Sequence, residues 1–229
     1  MISQTLLPTT LNTVWIARFR QLPTVPRLFF MAMGFVPIGS LCAALFGLLP
    51  LQLGLRFVVL PLGLFTIGVG IRYPQLGRLA LRGLLVGIVA TMVYDLVRLS
   101  FVMAGTWGDF IPVIGKLALN DESASPIWGY LWRFIGNGGM MGMAFAFVPW
   151  RGARAGIIYG IGICCCLFGT LLIAPGAQDT LFHLTALTGL MALIGHIIYG
   201  CVLGWLLQRV ESSAPGTQYA ELPGTVQYS

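Results

Sequence analysis

The sequence divides into long apolar runs, and proline or charged residues separate one run from the next. A transmembrane helix needs about 20 consecutive apolar residues, which is close to the length of these runs. Only 9% of the residues are charged, whereas an ordinary soluble domain carries about 25%. The chain therefore has too little charge to cover a surface in water, which excludes soluble, secreted disulfide-scaffold and disordered proteins. We expect an all-α integral membrane bundle that contacts the lipid bilayer.

Proline and charge also place the boundaries of six predicted transmembrane helices. Pro50, Pro149 and Pro175 each end an apolar run, and Arg72 with Pro74 ends another. Two further prolines lie inside predicted spans and should kink them, namely Pro37 and Pro61. The predicted spans are residues 28–49, 56–71, 83–103, 128–148, 155–174 and 181–207.

Three segments lie outside these spans. Residues 1–27 form a predicted cytoplasmic N-terminal segment, in which apolar residues of 10–22 recur on one helical face; this pattern fits an interfacial helix or a plain tether. Residues 104–127 are the one long loop, on the outer side, and we expect its apolar stretch 110–119 to lie on or dip into the outer interface. Residues 208–229 are polar and contain proline and glycine, which predicts a disordered cytoplasmic tail.

The distribution of positive charge predicts the orientation, because cytoplasmic segments of membrane proteins are enriched in arginine and lysine. With the N-terminus inside, Arg56 and Lys116 are the basic residues at the outer side, and Arg98 and Arg133 lie within helices. The remaining arginines fall on the cytoplasmic side, which favours an N-in, C-in arrangement. They are Arg18, Arg20, Arg27, Arg72, Arg78, Arg82, Arg151, Arg154 and Arg209.

Glycine pairs at four-residue spacing occur inside several predicted spans. Such pairs let helix backbones approach closely, either within one chain or between two copies. We favour internal packing, and a homo-oligomer or a membrane-protein partner on these faces remains the alternative. Nucleic acid is not an expected partner, because the basic residues are spread along the chain and form no patch. The pairs are Gly83 and Gly87, Gly138 and Gly142, Gly156 and Gly160, and Gly200 and Gly204.

The most informative feature is charge inside the third and fourth predicted spans. Asp95 and Arg98 share one face of the third span, and Tyr130, Arg133 and Asn137 share one face of the fourth. At 1.5 Å per residue, both arginines lie about 7.5 Å below the outer ends of their helices. The sequence therefore predicts a polar cluster in the outer leaflet, in which Asp95 neutralises one or both arginines.

This cluster has two interpretations. It is either an interhelical ion pair that only fixes packing, or a functional site, since ionisable residues inside a membrane are costly. Two arginines against one aspartate would leave a positive surplus suited to an anionic ligand. His183, near the outer end of the sixth predicted span, is expected to join the cluster.

Histidine, cysteine and methionine raise the question of a cofactor. His183 and His196 are 13 positions apart and point to nearly opposite sides of one helix, which argues against a haem held by both. Ligation of a pigment or haem by His196 alone stays open, although a packing role is commoner. Consecutive helical residues diverge by about 100°, so the soft ligands near mid-membrane do not focus on a copper ion. These ligands are Met140, Met141, Met143 and Cys164, Cys165, Cys166. No cofactor or metal is required by the sequence.

The segments Tyr94-Asp95-Leu96-Val97-Arg98-Leu99 and His196-Ile-Ile-Tyr199-Gly200-Cys-Val-Leu203-Gly204 resemble uncharacterised bacterial multi-pass membrane proteins. The likeness covers residues 76–207 and implies a bacterial origin, but no role. The sequence carries no nucleophile elbow, P-loop, dinucleotide fingerprint or His-Glu-x-x-His motif.

The predicted function is that of a membrane-embedded binding or assembly component, with a role as a subunit of a larger complex left open. A small-solute transporter or ion pathway that uses the polar cluster is the alternative. An intramembrane enzyme is the third interpretation, and the sparse catalytic inventory disfavours it. The expected location is the bacterial cytoplasmic (inner) membrane, or another internal membrane with the same topology.

Overall fold

The computed structural model of the protein describes residues 22–212, and within this range the chain is helical with no strand. The predicted interfacial segment 10–22 lies outside the described residues except for Leu22. The same holds for most of the predicted tail. Its first residues are ordered, however, because the last helix continues to Ser212. The last helix therefore includes residues 208–212, which the prediction had assigned to the tail.

The helices are numbered α1 to α9 in chain order. Two of them, α3 and α6, contain a π-helical turn, at Leu55–Val59 and Trp132–Gly139 respectively. Their bounds are Thr24–Met33 (α1), Val36–Leu45 (α2), Leu51–Arg72 (α3), Pro74–Met103 (α4), Ile111–Leu119 (α5), 127–146 (α6), Ala153–Ile173 (α7), Ala177–Thr180 (α8) and Ala186–Ser212 (α9).

Among residues 22–212, four helices are long and apolar enough to cross a membrane, namely α3, α4, α7 and α9. The pair α1 and α2 meets the same criterion together and is bent by 43° at its break, so it counts as a fifth span if it is continuous. Pro37 lies in the first turn of α2, directly after this bend. In α3 the π-helical turn directly precedes Pro61, where the proline ring interrupts regular helical hydrogen bonding.

The predicted fourth span corresponds to α6, which is about 30 Å long at 1.5 Å per residue. Helix α6 is less apolar than the other four because it carries Arg133, Asn137 and several glycines. It runs beside α4 in the centre of the bundle, where Gly87 and Gly142 bring the two backbones together.

The segment 104–127 is not simply a loop, which corrects the prediction. It contains α5, whose residues Ile111, Ile114 and Ala118 recur at helical spacing and are buried in the core. A Cβ atom at Gly115 or Gly129 would overlap the backbone of the other helix, so α5 packs closely on the start of α6. Because its apolar face packs against other helices of the chain, α5 is part of the bundle rather than a surface loop.

The predicted glycine pairs lie at interfaces between helices of the same chain. A Cβ atom at any of these glycines would meet the backbone or a side chain of the neighbouring helix. The pairs in α4 face those in α6, and the pairs in α7 face those in α9. The internal interpretation of these glycines is therefore the one that the structure supports. The positions are Gly83, Gly87, Gly138, Gly142, Gly156, Gly160, Gly200 and Gly204.

Candidate functional site

Asp95 lies between two arginines from different helices. The Nη2 and Nε atoms of Arg133 in α6 donate to Asp95 Oδ1 at 2.9 and 3.2 Å. From the following turn of α4, Arg98 Nε donates to the same oxygen at 3.2 Å. Arg98 has a fully buried side chain, so its charge depends on these partners. The structure thus brings Asp95 together with the two arginines that the sequence placed at matched depth.

The π-helical turn of α6 carries two members of this site, Arg133 and Asn137. Gly138 in the same turn allows α4 and α6 to approach closely, because a Cβ atom at this position would overlap the hydroxyl of Thr91. The carbonyl of Gly138 accepts a hydrogen bond of 2.8 Å from Tyr199 of α9. Three helices therefore fix the backbone on which the arginine and the asparagine lie. Such π-helical turns occur frequently at functional sites.

A second carboxylate completes the cluster, and the sequence analysis missed it. Asp109, between α4 and α5, accepts a hydrogen bond of 2.9 Å from Arg98 Nη1. Its other oxygen accepts a hydrogen bond of 2.8 Å from the hydroxyl of Tyr130, which also lies 3.5 Å from Arg98 Nη2. Two aspartates face two arginines, so the predicted positive surplus is absent.

His183 does not join the cluster, although it was predicted to do so. Its side chain is 74% exposed and lies 3.7 Å from Asp179. The reason is that α9 begins only at Ala186, so His183 is on a non-helical segment at the surface. The prediction that His183 and His196 share one helix was wrong for the same reason.

Three buried residues next to the cluster keep polar atoms without partners among residues 22–212. Asn137 Oδ1 is buried and accepts no hydrogen bond. His196 Nδ1 donates to the carbonyl of Ala192 at 2.7 Å, which leaves Nε2 unpaired. The hydroxyl of Tyr94 makes no hydrogen bond either, and its ring lies 4.5 Å from the Arg133 guanidinium and 5.4 Å from the His196 ring. Buried polar atoms normally have partners, so the unpaired Asn137 Oδ1, next to two other residues with unpaired polar atoms, requires an explanation.

These residues line one cavity of about 380 Å³. This volume is within the range of small-molecule sites, which also combine apolar walls with a few polar groups. The polar patch of the wall consists of Tyr94, Arg133, Asn137 and His196, whereas most of the remaining wall is apolar. The main apolar contributors are Phe35, Ile38, Leu41, Leu45, Phe110, Ile114, Met141, Ile163, Leu167, Leu181 and Phe182.

The cavity reaches the surface of the bundle between the start of α2 and the middle of α7. Three of its lining residues are exposed, namely Phe35, Gly162 and Cys166. Outside the backbone of its own helix, a Cβ atom added at Gly162 would meet no atom of residues 22–212 within 4 Å, so the described part of the chain leaves the space beside α7 open there. A molecule could therefore enter from the side of the bundle.

The soft-metal residues do not converge. Cys164 is buried whereas Cys165 and Cys166 are exposed, as expected for consecutive residues of a helix. Only Met141 and Cys166 of that set line the cavity. Within residues 22–212 no group of three histidine, cysteine, aspartate or glutamate side chains is placed to hold a metal ion.

No protein-family model, curated protein or solved structure matches this chain. The geometry of the cluster and the cavity is therefore the basis for the function proposed below.

Proposed function

We propose that the protein spans a bacterial cytoplasmic membrane, or an internal membrane of the same topology, six times with both termini in the cytoplasm. The four or five long apolar helices support membrane insertion. The length of α6 and the positive-inside distribution of arginine support the sixth span and the orientation. Reporter fusions test this topology. Green fluorescent protein fused after Ser229 should fluoresce, and alkaline phosphatase fused after Asn120 should be active; the reverse pattern would overturn the orientation.

We further propose that the protein is a binding component that holds an apolar small molecule in the cavity. The observation that carries this proposal is the buried Asn137 Oδ1, which has no partner among residues 22–212 and lies in the same mostly apolar cavity wall as the unpaired Nε2 of His196. Without a ligand, such atoms lose their hydrogen bonds to water and gain nothing in return. A ligand with a polar end would restore those bonds.

Photolabelling with an apolar diazirine probe in lipid nanodiscs tests this proposal. We expect saturable labelling of the α2 and α7 residues that line the cavity. Gly162→Phe fills the opening without a backbone clash and should weaken saturable labelling at least about tenfold. Gly169→Phe is the matched control, because it lies two turns along α7, also in open space, and does not line the cavity. Equal labelling of both variants and of the unmodified protein would contradict a ligand site.

A small-solute transporter or ion pathway is the second candidate. One observation favours it: the cluster extends from Asp109, which is 26% exposed, through Arg98 and Asp95 to Arg133 in the cavity wall. Solute or ion flux into proteoliposomes that Arg133→Gln abolishes would support a transporter. A partner subunit would have to bind at a surface of the bundle other than the cavity. The least buried of the four candidate spans is α3, so its exposed side is the available surface.

A further inference from the structure

The charges at the cavity wall are balanced before any ligand enters. Arg133 lines the cavity, and two of its three nitrogens donate to Asp95, which is behind it and outside the wall. Arg98 is neutralised by Asp95 and Asp109 together. An anionic ligand would have to compete with Asp95 for Arg133 and would leave a buried carboxylate short of partners. A cationic ligand would be repelled by Arg133, because the arginine lines the cavity and Asp95 does not. Both charged classes are therefore disfavoured.

The unpaired atoms of the polar patch include both donors and acceptors. Arg133 Nη1 makes no hydrogen bond within residues 22–212 and can only donate. His196 Nε2 is an acceptor, because the ring proton is on Nδ1 and is donated to Ala192. Asn137 offers one donor and one acceptor whichever way its amide is turned. A ketone or an ether can only accept, and would leave His196 Nε2 unpaired.

A hydroxyl group matches this set. It can donate its proton to His196 Nε2 while its oxygen accepts from Arg133 or Asn137. The ring of Tyr94 contacts both the Arg133 guanidinium and the His196 ring, and all three residues line the same cavity as Asn137. The apolar wall around them requires an apolar body. The opening beside Gly162 lets a chain longer than the cavity extend outward between α2 and α7.

We infer that the ligand is an electrically neutral amphiphile with a hydroxyl head and a long apolar body, and that it enters sideways from the lipid between α2 and α7. This inference rests on the ligand-binding function proposed above and adds the chemical class of the ligand to it. The polar patch binds the hydroxyl head, and the apolar wall binds the first part of the body.

Three photoreactive probes test the inference on the full-length protein in nanodiscs. They share one long alkyl chain with a diazirine at the same carbon and differ only in the head: a primary alcohol, a methyl ketone or a carboxylate. We expect the alcohol to saturate labelling of cavity-lining peptides at a concentration at least about tenfold lower than the other two. Preferential binding of the carboxylate, or equal binding of alcohol and ketone, would overturn the inference while leaving ligand binding intact. Saturable labelling by none of the probes would overturn the proposed function as well.

A variant that removes His196 Nε2 tests whether this acceptor causes the preference for the alcohol. His196→Phe removes Nε2, and should weaken the alcohol about tenfold while leaving ketone labelling unchanged. The unchanged ketone labelling shows that the variant is folded. His183→Phe is the matched control, because that histidine is exposed at the surface, and it should alter neither probe. If His196→Phe retained the full preference for the alcohol, the role assigned to Nε2 would be wrong.

Discussion

Asp109 accepts a hydrogen bond of 2.9 Å from Arg98, and this contact joins a residue between two helices to a fully buried arginine. The same Asp109 oxygen accepts a hydrogen bond of 3.3 Å from the backbone of Ile111, at the start of α5. One carboxylate therefore anchors α5 and balances the second buried positive charge. This is why the cluster as a whole is neutral.

The ion pair between Asp95 and Arg133 should contribute to stability in a coupled way. Asp95→Asn leaves Arg133 without its carboxylate partner, and we expect it to lower the free energy of unfolding by about 3–5 kcal/mol. Arg133→Gln should lower it by less, because Asp95 keeps Arg98 as a partner. The double variant should cost clearly less than the sum. Reversible unfolding in mixed detergent and lipid micelles measures all three variants.

An exposed ion pair is the matched control for this double-mutant cycle of Asp95 and Arg133. Lys116 and Glu122 lie 3.3 Å apart, and the glutamate side chain is 94% exposed. The corresponding cycle with Lys116→Gln and Glu122→Gln should give a coupling of only about 0–1 kcal/mol. Additive losses at Asp95 and Arg133 would show that the two side chains do not interact in the folded protein.

Asp109→Asn should change both stability and ligand preference. The variant keeps the shape of the side chain but leaves two arginines against one aspartate, which restores the positive surplus expected from the sequence alone. We therefore expect a lower unfolding temperature and a stronger binding of the carboxylate photoprobe. Tyr130→Phe removes a hydrogen bond to the same carboxylate, at about 1.5–3 kcal/mol, without changing the charge of the cluster, and should not change the probe preference. If Asp109→Asn did not change the preference between the photoprobes, the charge of the cluster would have no influence on which ligand binds.

Close packing of α7 on α9 should make Gly156 sensitive to the smallest substitution. A Cβ atom at Gly156 would overlap the carbonyl of Gly200, so Gly156→Ala must push the helices apart. We expect a cost of about 1–3 kcal/mol in the unfolding free energy. Gly162→Ala, on the same helix but facing open space, should cost little. Equal effects of the two substitutions would show that helix propensity rather than packing determines the outcome.

Sequence reasoning found the residues whose position is set by helical geometry and missed those whose position is set by tertiary contacts. Asp95 and Arg98 share a helix face because of their spacing, and Arg133 reaches them because its depth matches. Asp109 has neither signal, since it precedes a helix that the sequence analysis did not predict. His183 was misplaced because hydrophobicity alone did not reveal that α9 begins three residues later. The cavity depends on six helices packing together, which no local pattern encodes.

Arg151 should be the most sensitive residue outside the predicted spans. It lies between α6 and α7, where its Nη2 and Nη1 atoms donate to the carbonyls of Ala146 and Val148 at 2.6 Å each. The Ala146 carbonyl is at the end of α6 and the Val148 carbonyl lies two residues beyond it, where regular helical hydrogen bonding has stopped. Its Nε atom also donates to Glu211 of α9 at 2.9 Å. One buried guanidinium thus holds the end of α6 against the end of α9.

Arg151→Gln removes these contacts and leaves the largely buried Glu211 without this arginine, so we expect the free energy of unfolding to fall by about 3–5 kcal/mol. Arg151→Lys should recover only part of this loss, because an ammonium group cannot reproduce the planar fork that reaches three carbonyls and a carboxylate. Arg154→Gln is the matched control, since Arg154 is an exposed arginine three residues along the chain. Unfolding in mixed micelles measures the three variants. Hydrogen exchange should show faster exchange at the ends of α6 and α9 in Arg151→Gln alone. If Arg151→Gln and Arg154→Gln behaved alike, the guanidinium would have only the topological role that the positive-inside rule gives it.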